Sequence, residues 1–348
     1  MGRIIECVPN FSEGRNKLVI DAIVEAIRNG GKNADCAEPG VKVLDVDPGE
    51  ATNRTVVTFA GSPEAVMEAA FEGVRKAGEL IDMRHHHGAH PRSGATDVLP
   101  LIPISGITLE ECALLARQLA ERIFRELGIA CYCYEAAAYT PERKNLAVCR
   151  SGEYEALPQK IADEKLKPDF GPAEYNETIA RSGAINVGAR DFLIAVNFNL
   201  NTTSTALANE VAFDVRERGR AKRENGKIVK DAEGKSVMIP GTLKGCKAIG
   251  WYIDEYGIAQ VSMNITDINA TPLHKAFDEV CRAAQARGLR VSGTEIIGLL
   301  PKRSLIEAGK YFLEKQQRST GIPEAEIMKI AIKSMGLEDL RPFDVREK

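Results

Sequence analysis

The chain has 348 residues, 44% hydrophobic and 27% charged, which is enough apolar material for two cores at the ~150 residues of a common domain. Its net charge of −3 gives no general attraction to nucleic acid or to an anionic membrane surface. The opening MGRIIECVPNF lacks the apolar run of a signal peptide, and no stretch approaches the ~20 apolar residues of a membrane span, so a cytoplasmic protein is expected.

Ile4 to Val8 reads as a first strand, with a polar turn from Asn10 to Asn16. Val19, Ile23 and Ile27 have helical spacing, and Gly30-Gly31 is expected to stop that helix. Val41 to Val46 and Arg54 to Phe59 are valine-rich strands, only a short turn apart. Pro63 to Leu80 returns to helical spacing, Pro63 suiting the first turn. Val98 to Ile104 is a strand, Leu109 to Leu127 an amphipathic helix and Ile129 to Tyr134 a further strand. The second half repeats this order: strand Phe192 to Leu200, helix Thr203 to Arg218, strands Lys247 to Ile253 and Ala259 to Ile265 around a turn at Gly257, helix Thr271 to Arg287, and strand Arg290 to Thr294. Two helical segments close the chain, Ser304 to Gln317 and Pro323 to Met335.

Two passes of β-α-β-β-α-β predict an α+β protein of two ferredoxin-like subdomains, 1–180 and 181–348, forming a cleft between them. A doubly wound parallel sheet fits less well, because it needs helices where tight turns stand at 47–53 and 254–257. The connection from Pro168 to Arg190 is glycine-rich and reads as a shaped loop. A second loop, Arg216 to Gly245, carries an excess of Lys and Arg, either as a solvated excursion or to attract an anionic ligand. The cysteines at 7, 36, 112, 131, 133, 149, 246 and 281 form no C-x-x-C pair and read as small buried residues in a reducing compartment.

One segment concentrates chemistry. Asp82 to Asp97 (DMRHHHGAHPRSGATD) holds four of the five histidines, two arginines and two aspartates, between a helix and a strand. His86 and His90 have the four-residue spacing of metal ligands on a helix, yet Gly88 and Pro91 argue against a helix there, and no metal is expected. A polar loop capping the next strand is a second reading. Acid–base catalysis is a third: a histidine titrates near ~6.5 and can take and return a proton at neutral pH. Pro91 holds His90 at a fixed exit from the turn, and the planar fork of Arg92 suits a carboxylate.

These residues resemble the formiminotransferase family. The matching blocks are Glu6 to Gly14 (ECVPNFSEG), Asp45-Val46-Asp47, Thr52 to Val56, Leu80 to Met83, and His90-Pro91-Arg92 with Gly94, Ala95 and Asp97. Gly152 to Pro158, Asp169 to Pro172, Gly188 to Arg190 and Ile249 to Tyr252 follow in the same order, so the resemblance covers nearly the whole chain. It departs from the family at Ala89, where an acidic residue commonly precedes the histidine. The resemblance implies a pair of ferredoxin-like units and His90 as general base. It also implies tetrahydrofolate as co-substrate, contacted by two stretches: Gly171, Pro172, Ala173, Glu174, Tyr175, Asn176, Glu177, Thr178, Ile179 and Ala180, and then Gly241, Thr242, Leu243, Lys244, Gly245, Cys246, Lys247, Ala248, Ile249 and Gly250. A homodimer is implied as well. With the chain ending at Lys348, a separate cyclodeaminase is expected to act downstream.

Formiminoglutamate, the second substrate so implied, carries an amidine and two carboxylates. One histidine can remove the N5 proton of the folate as N5 attacks the amidine carbon, then protonate the departing glutamate nitrogen. Asp47 and Asp97 are candidates to stabilise the cationic amidine, Arg54 and Arg92 to hold the carboxylates, and Asn10 and Asn53 to reach the pterin or amidine. Asp47 has an alternative reading as a turn-former before Pro48-Gly49, Asn10 and Asn53 as ordinary turn residues, and Arg54 as a structural ion pair. A metal-dependent formiminoglutamate hydrolase, formyl-group transfer between glutamate and folate, and a non-catalytic folate-binding protein are the alternatives.

Overall fold

The computed structural model describes residues 2–32 and 40–345, which leaves Cys36 outside the described residues. Its contacts divide the chain into residues 1–191 and 192–348, C-terminal to the expected 180/181 boundary. Among the described residues, no helix is long and apolar enough to cross a membrane.

In the first unit the apolar run at the start forms β1 (Ile4–Cys7) and, after a break at Val8-Pro9, β2 (Asn10–Phe11). Asn10 was expected in a turn; instead it extends the first strand, because Phe11 is buried in the core and draws the chain back onto the sheet. α1 (Lys17–Lys32) runs through Gly30-Gly31 rather than stopping there. A Cβ at Gly30 would lie 2.9 Å from Glu68 O and Glu72 Cβ, so the glycine serves the close approach of the next helix. β3 (Lys42–Gly49), β4 (Arg54–Gly61), α2 (Pro63–Leu80), β5 (Thr96–Ser105), α3 (Leu109–Leu127) and β6 (Ala130–Glu135) follow close to expectation. α2 is capped by Ser62, and α3 by a capping box of Thr108 and Glu111.

After β6 come the short helices α4 (Leu146–Cys149) and α5 (Leu157–Ala162), and the connection read as a loop, Pro168 to Arg190, contains a third, α6 (Glu177–Ser182), and a buried strand, β7 (Ala184–Ala189). The strand was missed because Asn186 and Gly188 interrupt its apolar residues, although Ile185, Val187 and Ala189 alternate into the core. The strands lie in the order β3-β4-(β1, β2)-β5-β7-β6, antiparallel except for the parallel pairs β5–β7 and β7–β6.

Helices α1, α2 and α3 pack on one face of this sheet against Ile5, Cys7, Phe11, Val57, Phe59, Leu99 and Leu101. Fully burying a side chain of this size stabilises the fold by about 1.5–3 kcal/mol. Cys131 and Cys133 join that core, both on one strand face. Tyr132 and Tyr134 alternate to the opposite face, where Leu157 and Ile161 of α5 and Ile179 of α6 cover them.

The second unit begins with β8 (Ile194–Leu200) and α7 (Thr205–Val215). Two small ribbons then occupy the basic loop, β9 (Arg220–Ala221) with β12 (Met238–Ile239) and β10 (Arg223–Glu224) with β11 (Lys227–Ile228). β13 (Cys246–Ile253), β14 (Ile258–Ile265), α8 (Leu273–Gln285) and β15 (Val291–Ile297) complete an antiparallel sheet of order β13-β14-β8-β15. α9 (Lys302–Lys315) and α10 (Glu324–Met335) follow. The chain is therefore a mixed α+β protein of two units, each with its own core.

Candidate active site

The histidine-rich segment leaves α2 through a short 3-10 turn, Met83–His85, capped by Asp82. The Arg84 guanidinium beside Asp82 holds that carboxyl down at about 2, and Arg84 reaches Glu177 of α6 at 2.8 Å. His85 and His87 are exposed, whereas His86 is buried with its Nε2 2.9 Å from the carbonyl of Asn53. Burial lowers the pKa of His86, so its neutral ring serves as a structural tie.

Asn53 occupies the left-handed region (φ 47°). Its carboxamide oxygen accepts from Gly14 N and its amide donates to His87 O, each at 3.0 Å. Ala89 N donates to Ala51 O at 3.3 Å, and a Cβ at Gly88 would lie 2.2 Å from Thr52 O. The histidine turn is therefore laid directly on the 51–53 turn. Asn53, expected to reach the pterin or amidine, binds one loop to another.

His90 is half-buried at the end of this turn, and its Nδ1 lies 2.7 Å from the carbonyl of Pro91. Since a carbonyl can only accept, Nδ1 carries the hydrogen and Nε2 the lone pair of the neutral ring. The ring's pKa is pushed down to about 3, first by burial and then by the charges of Arg54 and Arg150, with Asp97 and the Pro91 carbonyl opposing. The unliganded protein thus holds His90 as neutral imidazole at physiological pH.

Asp97 is fully buried. Its Oδ2 accepts from Arg54 Nη1 and, at 2.8 Å, from Arg150 Nη2, while Oδ1 accepts from Ser93 N at 2.9 Å. Burial alone would raise this carboxyl, but Arg150 and Arg54 outweigh it and the pKa lies below the ordinary value. Arg54 Nε also donates to Asn10 Oδ1 at 2.9 Å. Asn10, Arg54, Asp97 and His90 of the sequence reading are thereby brought together.

Arg92, expected to hold a substrate carboxylate, is paired with two carboxylates of the protein itself. Its fork meets Glu155 at 2.9 and 2.6 Å and Glu153 at 3.1 Å, and its carbonyl accepts from Tyr154 N at 3.0 Å. It pins the His90-Pro91-Arg92 segment to the 150–155 turn, whose backbone is left-handed at Gly152 (φ 75°) and Glu153 (φ 56°). Arg150, which sequence reading passed over, is the second cation on Asp97. The neighbouring block Gly152 to Pro158 was the only signal toward it. Asp47 is buried near the end of β3, opposite Val56 of β4.

Of the two stretches assigned to folate, the first lies in the first unit. Ala173 to Glu177 are exposed there, Asn176 caps α6 through Ile179 N, Ile179 is buried, and Ala180 O accepts from Tyr154 Oη at 2.5 Å. The second stretch lies in the second unit along the edge strand β13. Leu243, Cys246 and Ala248 point into the core there, while Lys244, Lys247 and Ile249 are exposed. Among the described residues, no three His, Cys, Asp or Glu side chains are grouped to hold a metal ion.

Known proteins give these features a context. A family model described as "Formiminotransferase domain, N-terminal subdomain" matches residues 4–190, and one described as "Formiminotransferase domain" matches residues 195–348. A pig formimidoyltransferase-cyclodeaminase is 42% identical over all of this chain, which spans 59% of that relative's length. Glutamate formimidoyltransferases of Streptococcus pyogenes and Thermoplasma acidophilum are 40% and 38% identical, over 90% and 89% of this chain and 94% and 92% of theirs. With both units matched end to end and identity sustained throughout, the chain belongs to the formiminotransferase family.

Proposed function

We propose that this protein transfers the formimino group between N-formimino-L-glutamate and tetrahydrofolate, with His90 as the proton-transfer residue. The observation that carries the reading is a neutral imidazole within electrostatic reach of a buried Arg54–Asp97–Arg150 cluster, in a chain so similar to glutamate formimidoyltransferases. A neutral ring can accept a proton, and a cluster with two guanidiniums for one carboxylate attracts an acidic substrate. The two strand orders also support the finer fold reading: β3-β4-β1-β5 and β13-β14-β8-β15 each follow a ferredoxin-like βαββαβ pattern, the first extended by β7 and β6.

N5 of the folate attacks the amidine carbon and its proton passes to Nε2 of His90, giving a tetrahedral centre. The bond from that carbon to the glutamate nitrogen then breaks as the imidazolium returns the proton to this nitrogen, releasing glutamate and formimino-tetrahydrofolate. General acid–base catalysis of this kind contributes roughly 10²–10⁴-fold. Asp47 and Asp97 offset charge at the amidine, Arg54 holds a carboxylate with Asn10 beside it, and the stretches 171–180 and 241–250 contact the folate. We assign Asn53 and Arg92 to holding the loop that carries His90. The protein acts as a homodimer.

Incubation with formiminoglutamate and tetrahydrofolate tests the reading directly. Formimino-tetrahydrofolate should accumulate only when both are present, and His90→Ala should abolish this while folate binding persists. Release of formimine without folate would instead indicate a hydrolase.

A further inference from the structure

Two guanidiniums share one oxygen of Asp97, so one positive charge at the site has no partner of opposite sign within the cluster. Arg54 is the more committed of the two: it is buried and also donates to Asn10. Arg150 differs. Its side chain is 15% exposed, and its Nε is buried with no hydrogen-bond partner. A desolvated guanidinium N–H without a partner is costly to leave so, and a planar fork is the shape that receives a carboxylate. Arg150 also stands close enough to His90 to bear on its charge. Among the groups that bear on the ring's charge are Arg54, Arg150, Asp97 and the Pro91 carbonyl, with the Tyr134 phenol beyond them near both arginines.

We propose that Arg150 is a second carboxylate-binding arm of the site, and that a substrate carboxylate seated on it cancels the surplus positive charge beside His90, making the ring a stronger base only when an acidic amino acid is bound. The inference rests on the function proposed above and adds to it. In the empty site the imidazole is too weak a base to retain the N5 proton long enough to return it. A carboxylate on Arg150 balances the second guanidinium, and removing a like charge from the surroundings of an imidazolium raises its pKa. Proton transfer is thereby tied to occupancy, and a substrate lacking the carboxylate would meet an inactive base.

The test follows the His90 ring by NMR titration, its signal assigned by loss in His90→Ala, with and without saturating glutamate. In the wild-type protein, glutamate should raise the titration midpoint by more than about one pH unit. Arg150→Gln leaves Asp97 balanced by Arg54, so the fold is preserved. Its ring should titrate about one pH unit higher in the free protein and respond little to glutamate, which should bind about 10- to 100-fold more weakly by calorimetry. Arg150→Lys keeps the charge: its free-protein titration should match wild type while glutamate affinity still falls. An Arg150→Gln protein that titrates as wild type, or binds glutamate within twofold of it, overturns the inference. Formimino transfer by the wild type is measured alongside: its absence with glutamate binding intact would sink the proposed function and leave Arg150 as a carboxylate ligand, whereas transfer without any effect of Arg150 would sink the inference alone.

Discussion

Replacing Asp97 by Asn removes one negative charge from a place where two positive ones converge. The amide fills the same volume, so the change is electrostatic rather than a cavity. Asp97 is fully buried, and the side chains of Arg54 and Arg150 are 8% and 15% exposed, so solvent screens the loss little. Breaking a buried ion pair by removing one partner costs about 3–5 kcal/mol, because the remaining charge is left uncompensated. For a unit of this size each kcal/mol lowers the melting temperature by about 2–4 °C, so the first transition in a calorimetric scan should fall by roughly 6–20 °C. Adding Arg150→Gln removes one of the stranded charges, and the double variant should melt higher than Asp97→Asn alone. The same logic fixes the pH sign. Asp97 has a depressed pKa in the folded state, so its contribution is complete above the ordinary carboxyl range near ~3.9 and is lost as pH falls below it. A melting temperature within about 3 °C of wild type, or a double variant no more stable than the single one, would refute the reasoning.

His90 titrates at about 3 when folded and near ~6.5 when unfolded, so through that window the unfolded chain binds about one more proton and stability falls by up to about 1.4 kcal/mol per pH unit on acidification. Urea unfolding at pH 7 and pH 4.5 should therefore show a smaller acid penalty in His90→Ala than in wild type. Gly88→Ala places a Cβ 2.2 Å from Thr52 O and must displace the histidine turn; kcat should drop by about 100-fold, as a ~1 Å misplacement does, in a formimino-transfer assay. Asn53→Ala and Asn53→Gly both lose the bonds to Gly14 and His87, but only glycine accepts φ 47° freely, so denaturant unfolding should find the alanine variant about 1 kcal/mol less stable.

Much of this was legible in the sequence because the signals are local. Helices α2 and α3 carry their stops and starts in a few neighbouring residues: Pro63 after Ser62, and Thr108 with Glu111. That Asp82 to Asp97 would form no continuous helix was legible because Gly88, Pro91 and Gly94 interrupt it. What failed was long-range pairing. Arg92 was chosen for the substrate because it stands next to the histidine, yet its charge is taken by Glu153 and Glu155, and the cation beside Asp97 comes from a turn far along the chain. Nothing in an isolated sequence says which of several arginines will find which carboxylate. β7 failed for a related reason: its place between β5 and β6 is set by pairing, not by its own modest apolar pattern.

The position of Asp97 shows how a small irregularity builds the site. Leu99 and Leu101 of β5 point into the core beneath the helices, and strict alternation would send Asp97 the same way, burying a carboxylate among apolar side chains. The register prevents this. Asn10 pairs with Val98 and Phe11 with Thr96, so Asp97 is the extra residue of a bulge, the device by which a strand re-aims one side chain. Arg54, which alternates with the core residue Val57 to the other face of β4, can then reach it. The ionic cluster is thus anchored in three strands through Asn10, Arg54 and Asp97, with only Arg150 and His90 supplied by turns. Strand pairing holds the anion and one cation, whereas hydrogen bonds within and between turns hold Arg150 and His90. The coupling proposed above needs this arrangement, in which the carboxylate between the two guanidiniums is itself fixed by the sheet.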